Sequence, residues 1–139
     1  MRMPLVLRLL LLMLALAGAV NAQDEFTITE VLNTTTTLGG QPITFPAEGE
    51  VEVHGDVVEI APGGETGRHK HPYPAFMYVL AGTLVLELDD GTSKTYTAGQ
   101  ALIEDAETWF NNKNPGQTPT RFVSVLYGNT GQEMVVFPE

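Results

Sequence analysis

From Phe26 onward, apolar and polar residues alternate in short runs, and no stretch repeats its apolar residues at the spacing of a helix face. Phe26 to Leu32 alternates and predicts a first strand, which Asn33 to Gly40 breaks with threonines and glycines. Val51 to Ala61 predicts a long strand with a turn at His54-Gly55-Asp56, ended by Pro62-Gly63-Gly64. Ala75 to Leu80 and Thr83 to Leu88 are apolar strands joined across Ala81-Gly82. Asp89-Asp90-Gly91 then offers the positive φ that a tight hairpin needs. Thr92 to Thr97, Ala101 to Glu104 and Thr108 to Asn111 follow. Beyond the turn at Asn114-Pro115-Gly116, Arg121 to Tyr127 and Glu133 to Phe137 close the chain. About ten short strands without a crossover helix predict an all-β fold, an antiparallel sandwich or barrel.

The first residues follow another rule. Arg2 and Arg8 precede an uncharged, mostly aliphatic run from Leu9 to Val20, and Val20-Asn21-Ala22 offers small side chains at the spacing of a signal-peptidase site. A bilayer core needs roughly 20 apolar residues, so the run is too short to span one. The division expected is a signal peptide over 1–22, an N-terminal strand and linker over 23–50, and a β-barrel domain over 51–139. The mature protein is then secreted or periplasmic, with no membrane association after cleavage.

Composition narrows the partners. The 139 residues suit one domain, and 7 Lys and Arg stand against 17 Asp and Glu for a formal charge of −10. Loss of Arg2 and Arg8 makes the mature chain more acidic still. Phosphate neutralisation needs clustered basic residues, so no nucleic acid is expected as a partner. The absence of cysteine rules out disulfides, thiolate-bound metals and a lipid-modified N-terminal cysteine.

One segment carries chemistry. Gly63-Gly64-Glu65-Thr66-Gly67-Arg68-His69-Lys70-His71-Pro72 holds two of the three histidines. In extended chain, residues two apart face the same side with Cα atoms about 7 Å apart, so His69 and His71 can converge on one cation. Neutral imidazole is a common ligand for transition metals. The alternative is two surface histidines on a strand edge. His54, beside Gly55 and Asp56, reads as a surface residue.

Gly63, His69, Lys70, His71 and Gly82 are spaced as in the first motif of the cupin superfamily, and His71 to Gly82 is similar to that motif in small single-domain cupins. Gly99 through Thr108-Trp109 to Asn114 resembles the second motif, and Asn114 to Phe122 the sequence that follows it. The resemblance covers roughly Val51 to Gly128 and implies an antiparallel double-sheet jelly-roll β-barrel. Cupins that bind metal usually supply two His, then a Glu or Gln, then a His from the second motif. His69 and His71 match the first two, whereas the other positions fall on Ala75 and Phe110. What the resemblance implies is therefore a degenerate, two-His metal site for a divalent transition metal (Fe, Mn, Ni or Zn), with Ala75, Met77, Phe110 and Asn112 in the pocket. Glu65, Glu104, Asp105 and Glu107 stand near the motifs in sequence and could reach the site from a loop in place of the absent ligands, but acids in turns read first as solvated.

With the histidines inward, Phe76, Tyr78 and Leu80 face the other side of their sheet, as does Trp109, and large apolar groups there need a cover. The strand at Phe26 to Leu32 could supply it; the resemblance implies a second copy of the chain, a homodimer. Two functional classes stay open. One is an exported cupin that binds a small-molecule ligand in its barrel without turnover. The other is a metal-dependent cupin enzyme of dioxygenase, isomerase or decarboxylase type. Fold alone does not separate them.

Overall fold

A computed structural model describes residues 26–139; the signal peptide expected over 1–22 lies outside the described residues. Seven strands form two antiparallel sheets, and the described residues contain no helix. They are β1 (Val51–Ile60), β2 (Ala75–Ala81), β3 (Thr83–Leu88), β4 (Ser93–Thr97), β5 (Ala101–Glu104), β6 (Phe110–Lys113) and β7 (Thr120–Asn129). One sheet has the order β1-β7-β2-β5 and the other β4-β3-β6. The fold is the expected all-β jelly roll.

Alternation sets the two faces of the larger sheet. Ala75, Met77 and Val79 of β2 are buried inward, together with Leu102 and Glu104 of β5 and Phe122 and Leu126 of β7. Facing them from the smaller sheet are Leu84, Leu86, Phe110 and Asn112, all buried. Ile60, Met77, Val79, Leu84, Leu86, Leu102 and Phe122 make the main core. A smaller cluster joins Ala75 and Leu126 to Met134 near the C-terminus.

Ala81-Gly82 joins two sheets rather than two paired strands, because β2 and β3 lie in different ones. Gly82 has φ +79° and a Cβ there would stand 2.8 Å from both Pro119 O and Thr120 Oγ1, so only glycine turns this corner without displacement. Thr120 clasps it by donating its hydroxyl to Thr83 O at 2.7 Å and accepting from Thr83 N at 3.2 Å. Asn114 ties the β6–β7 loop to β1, with Nδ2 donating to Ile60 O and Thr118 O.

Three elements differ from expectation. No turn occurs at His54-Gly55-Asp56: β1 pairs with β7 without interruption from Val51↔Asn129 to Ile60↔Thr120. A ten-residue partner ladder outweighs one local glycine, which here takes no left-handed φ. Phe26 to Leu32 forms no strand, and Phe26 and Ile28 are 73% and 77% exposed, so this segment does not cover the sheet of its own chain. The N-terminal region is anchored further on, where Leu38 N donates to Ile103 O and Thr37 and Gly39 bind the buried Asp105 carboxylate. Glu133 to Phe137 is reduced to one bridge, Val136 with Lys70.

Candidate functional site

The histidine segment runs beside β6 before crossing the barrel mouth. Thr66 N donates to Asn112 O, and His69 and Phe110 exchange backbone hydrogen bonds at 2.9 and 3.0 Å. Gly67 interrupts the pairing with φ +82° and turns its carbonyl toward the His69 ring. Beyond it, Lys70 pairs with Val136, and His71 O accepts from Glu107 N. The sequence Gly-x-His-x-His is thus held on both sides, and both imidazoles are 5% exposed. Their ring centroids lie 5.2 Å apart.

The ring tautomers follow from their partners. A carbonyl can only accept, so His69 Nδ1 donates to Gly67 O at 2.8 Å and His71 Nδ1 to Met134 O at 2.6 Å. Nε2 is therefore the free nitrogen of His69, while that of His71 lies 3.4 Å from Glu104 Oε2. Electrostatics separates the two rings. Burial holds His69 below the ordinary imidazole range, against the opposing pull of the Gly67 carbonyl. Burial also acts to lower His71, but the Glu104 hydrogen bond and charge together with the Met134 carbonyl outweigh it, and His71 is raised. One ring is a neutral acceptor, the other the partner of a buried carboxylate.

Glu104 is the residue that sequence reasoning set in solvent and the structure sets in the site. It is 1% exposed, not solvated. Its Oε1 accepts from Asn112 Nδ2 at 3.1 Å, which leaves Asn112 Oδ1 buried with no hydrogen-bond partner. The signal lay in strand alternation: Leu102 faces the core, so Glu104 two residues later does too. The register adds a second reason, because Ala75 pairs directly with Glu104. The acid absent from the expected position on β2 is supplied from the neighbouring strand.

A cavity of about 280 Å³ opens among these groups. His69, His71, Glu104 and Asn112 supply polar lining, and Met77, Phe122 and Leu126 with Val135 and Phe137 of the C-terminal segment supply apolar lining. Asp56 and Ser124 also line it: Ser124 faces inward between Phe122 and Leu126 of β7, and Asp56 stands opposite it in the register because β1 runs straight through the expected turn. Of the four expected pocket residues, Met77 and Asn112 line the cavity, whereas Ala75 and Phe110 lie behind its wall. Ala75 is too short to pass its packing against Leu126 and Met134. The Phe110 ring instead packs against His69 and His71, with centroids 4.7 and 5.5 Å away. Of the other acids, Asp105 is buried as an anchor for Thr37 and Gly39, Glu107 pairs with Lys70, and Glu65 accepts from Asn111 Nδ2. His54 is exposed beside Glu52, as expected. Trp109 is half-buried under the Arg68 guanidinium, 4.4 Å from the ring centroid.

Both imidazoles have the Nδ1-to-carbonyl bond that orients metal-bound histidine. Yet among the described residues no group of three or more His, Cys, Asp or Glu is gathered closely enough to hold a metal ion. Catalytic metal sites ordinarily keep three protein ligands, and Phe110 occupies the space against both rings. The site fits a weakly held cation at most.

A cupin-domain model matches residues 56–126, half of the chain. This chain belongs to the cupin family. The matched span contains both histidines, Glu104 and Asn112, while the segment that meets His71 through Met134 lies beyond it. Among solved structures, the cupin is similar to an oxalate oxidase in complex with glycolate, with 26% identity, TM-score 0.52, and 61% of this chain and 45% of that one covered. It is also similar to the Lactobacillus farciminis oxalate decarboxylase, with 21% identity, TM-score 0.52, and 60% and 26% covered. The polyketide cyclase RemF from Streptomyces resistomycificus gives 23%, TM-score 0.53, and 70% and 69%. The chain spans under half the length of either oxalate enzyme. No curated protein matches it.

Proposed function

We propose that this cupin binds a small organic molecule in its barrel and does so without a tightly held metal. The observation that carries this reading is a cavity lined by the buried side chains of His69, His71, Glu104 and Asn112, the last with an Oδ1 that has no partner among the described residues. Buried polar atoms are nearly always satisfied, and a bound molecule would satisfy this one. Elemental analysis of the purified protein should find well under one transition metal per chain. The variant Phe110→His should raise that content toward one, because its imidazole would take the place of a ring already packed on His69 and His71. Near-stoichiometric metal in the wild type, lost on His69→Ala, would overturn the reading.

A second reading is a metal-dependent enzyme, favoured by the Nδ1-to-carbonyl bonds that leave each Nε2 for other partners. It requires a ligand set completed from outside the chain, and a dependence of any turnover on added Fe, Mn, Ni or Zn would support it.

The binding unit is proposed to be an exported homodimer. The outer face of the larger sheet exposes Val51, Val53, Val57 and Leu80 around half-buried Phe76, Tyr78, Val123 and Val125, and Phe45 stands edge-on against Tyr127. A second copy would bury this face, and light scattering should report twice the chain mass, falling to one on Val125→Asp. N-terminal sequencing of exported protein tests the leader, with Gln23 as the expected first residue.

A further inference from the structure

The chemistry of the cavity wall goes further and names a class of ligand, on the premise that the cavity binds a small molecule. Its buried polar atoms are mostly acceptors. Asn112 spends its Nδ2 on Glu104, and the amide cannot flip, because that would set Oδ1 against a carboxylate oxygen. Asn112 Oδ1 therefore stays an acceptor, buried and unpartnered. Glu104 accepts one hydrogen bond at 3.1 Å and has a long contact of 3.4 Å to His71, which leaves lone pairs open. His69 has its proton on Nδ1, so Nε2 is an acceptor too. Asp56 adds a carboxylate to the lining.

Countercharge for an anion is already engaged: the His71 ring is turned to Glu104, and among the described residues no Lys or Arg lines the cavity. The two nearest in sequence to the histidines are engaged elsewhere, Arg68 with Asp89 and Lys70 with Glu107. A carboxylate brought here would meet Glu104 and Asp56 and would have to compete with Glu104 for the His71 ring. An ammonium group would bring three N–H donors to a wall where Glu104, Asp56 and His69 Nε2 accept and where the Thr66 and Ser124 hydroxyls can accept as well. The remaining surface, Met77, Phe122, Leu126 and Phe137 among it, suits a hydrocarbon or aromatic body.

We propose that the cavity takes a small primary amine with an apolar body, its ammonium group on Glu104 beside the Asn112 side chain. The assignment separates this cupin from the dicarboxylate chemistry in the names of the oxalate enzymes whose fold it shares.

The test is calorimetric titration of the full chain in chelator with three probes of one shape: phenethylamine, 2-phenylethanol and 3-phenylpropionate. The amine is expected to bind at least about tenfold more tightly than the alcohol, and the acid to be undetectable. Glu104→Gln should lower amine affinity about tenfold while leaving that of the alcohol within about threefold, which also shows the variant is folded. If Glu104→Gln does not fold, Asp56→Asn, on an exposed position of the lining, should reduce the amine-to-alcohol ratio about twofold to threefold. An acid that binds as well as the amine, or an amine indifferent to both variants, overturns the assignment and leaves small-molecule binding standing. Failure of all three probes overturns the small-molecule reading with it.

Discussion

The same strands build two unlike regions inside this barrel. In the main core, Val79, Leu84, Leu86 and Leu102 fill the space between the sheets with aliphatic side chains. One alternation step further along β5, and across the register on β2, the inward positions are Glu104 and Ala75. There the interior holds a carboxylate, two imidazoles, an amide and empty volume. Strand geometry is common to both regions, so it decides only which residues face inward. Side-chain size and polarity decide whether the interior is packed or left open for something else. A small residue, Ala75, and a buried acid beside it mark the transition.

That contrast can be broken by substitution. Leu84→Ala in the packed region should cost about 2–5 kcal/mol, from lost burial and a residual cavity. Glu104→Gln in the open region should cost less than about 1.5 kcal/mol, since shape and one acceptor are kept. Urea unfolding of both variants reads the difference, and equal costs would mean that Glu104 is a core element rather than a site residue.

A smaller effect separates two glycines of similar backbone. Gly82 and Gly99 both have φ near +80 to +90°, but a Cβ at Gly82 meets Pro119 O and Thr120 Oγ1 whereas one at Gly99 meets nothing within 4 Å. Gly82→Ala should therefore destabilise by about 1–3 kcal/mol and Gly99→Ala by about 1 kcal/mol or less. Thermal unfolding of the pair checks whether the sheet-switching corner is the more constrained.

The smallest effect lies within the site itself. His69 is lowered by burial, so its contribution to stability is present above its ordinary value of 6.5 and is lost as pH falls through the folded value. His71 is raised by Glu104, which more than offsets its burial, so its contribution is present below 6.5 and is lost as pH rises through the folded value. Wild type compared with His69→Gln should lose stability on acidification below 6.5. Compared with His71→Gln, it should lose stability on going upward from the same pH. Parallel slopes would deny the two rings their different partners.

The sequence predicted the barrel well because burial and turn chemistry agree there. Ala101 to Glu104 and Thr83 to Leu88 have the bounds that their alternation predicts, and Asp89-Asp90-Gly91 makes its hairpin. Where local and tertiary signals disagree, local reading fails. His54-Gly55-Asp56 has turn composition, yet β7 supplies ten paired residues and β1 stays extended. Phe26 to Leu32 has strand periodicity but no partner strand among the described residues of its chain. The histidines were found because their spacing is a local property. Glu104 was set in solvent because an acid beside a loop looks solvated until the pairing with Ala75 places it inside. Phe110 was expected inward and is, but its size carries it against the imidazoles rather than to the cavity surface.

The account rests on the cavity at the imidazoles being a place where molecules bind. Nitrogen-15 spectra of the histidine rings, recorded on the full chain in chelator during titration with phenethylamine and 2-phenylethanol, test this directly. The account predicts that the Nε2 signals of His69 and His71 shift together and saturate while exposed His54 stays fixed. Three rings that all remain still, or all move alike, would contradict it.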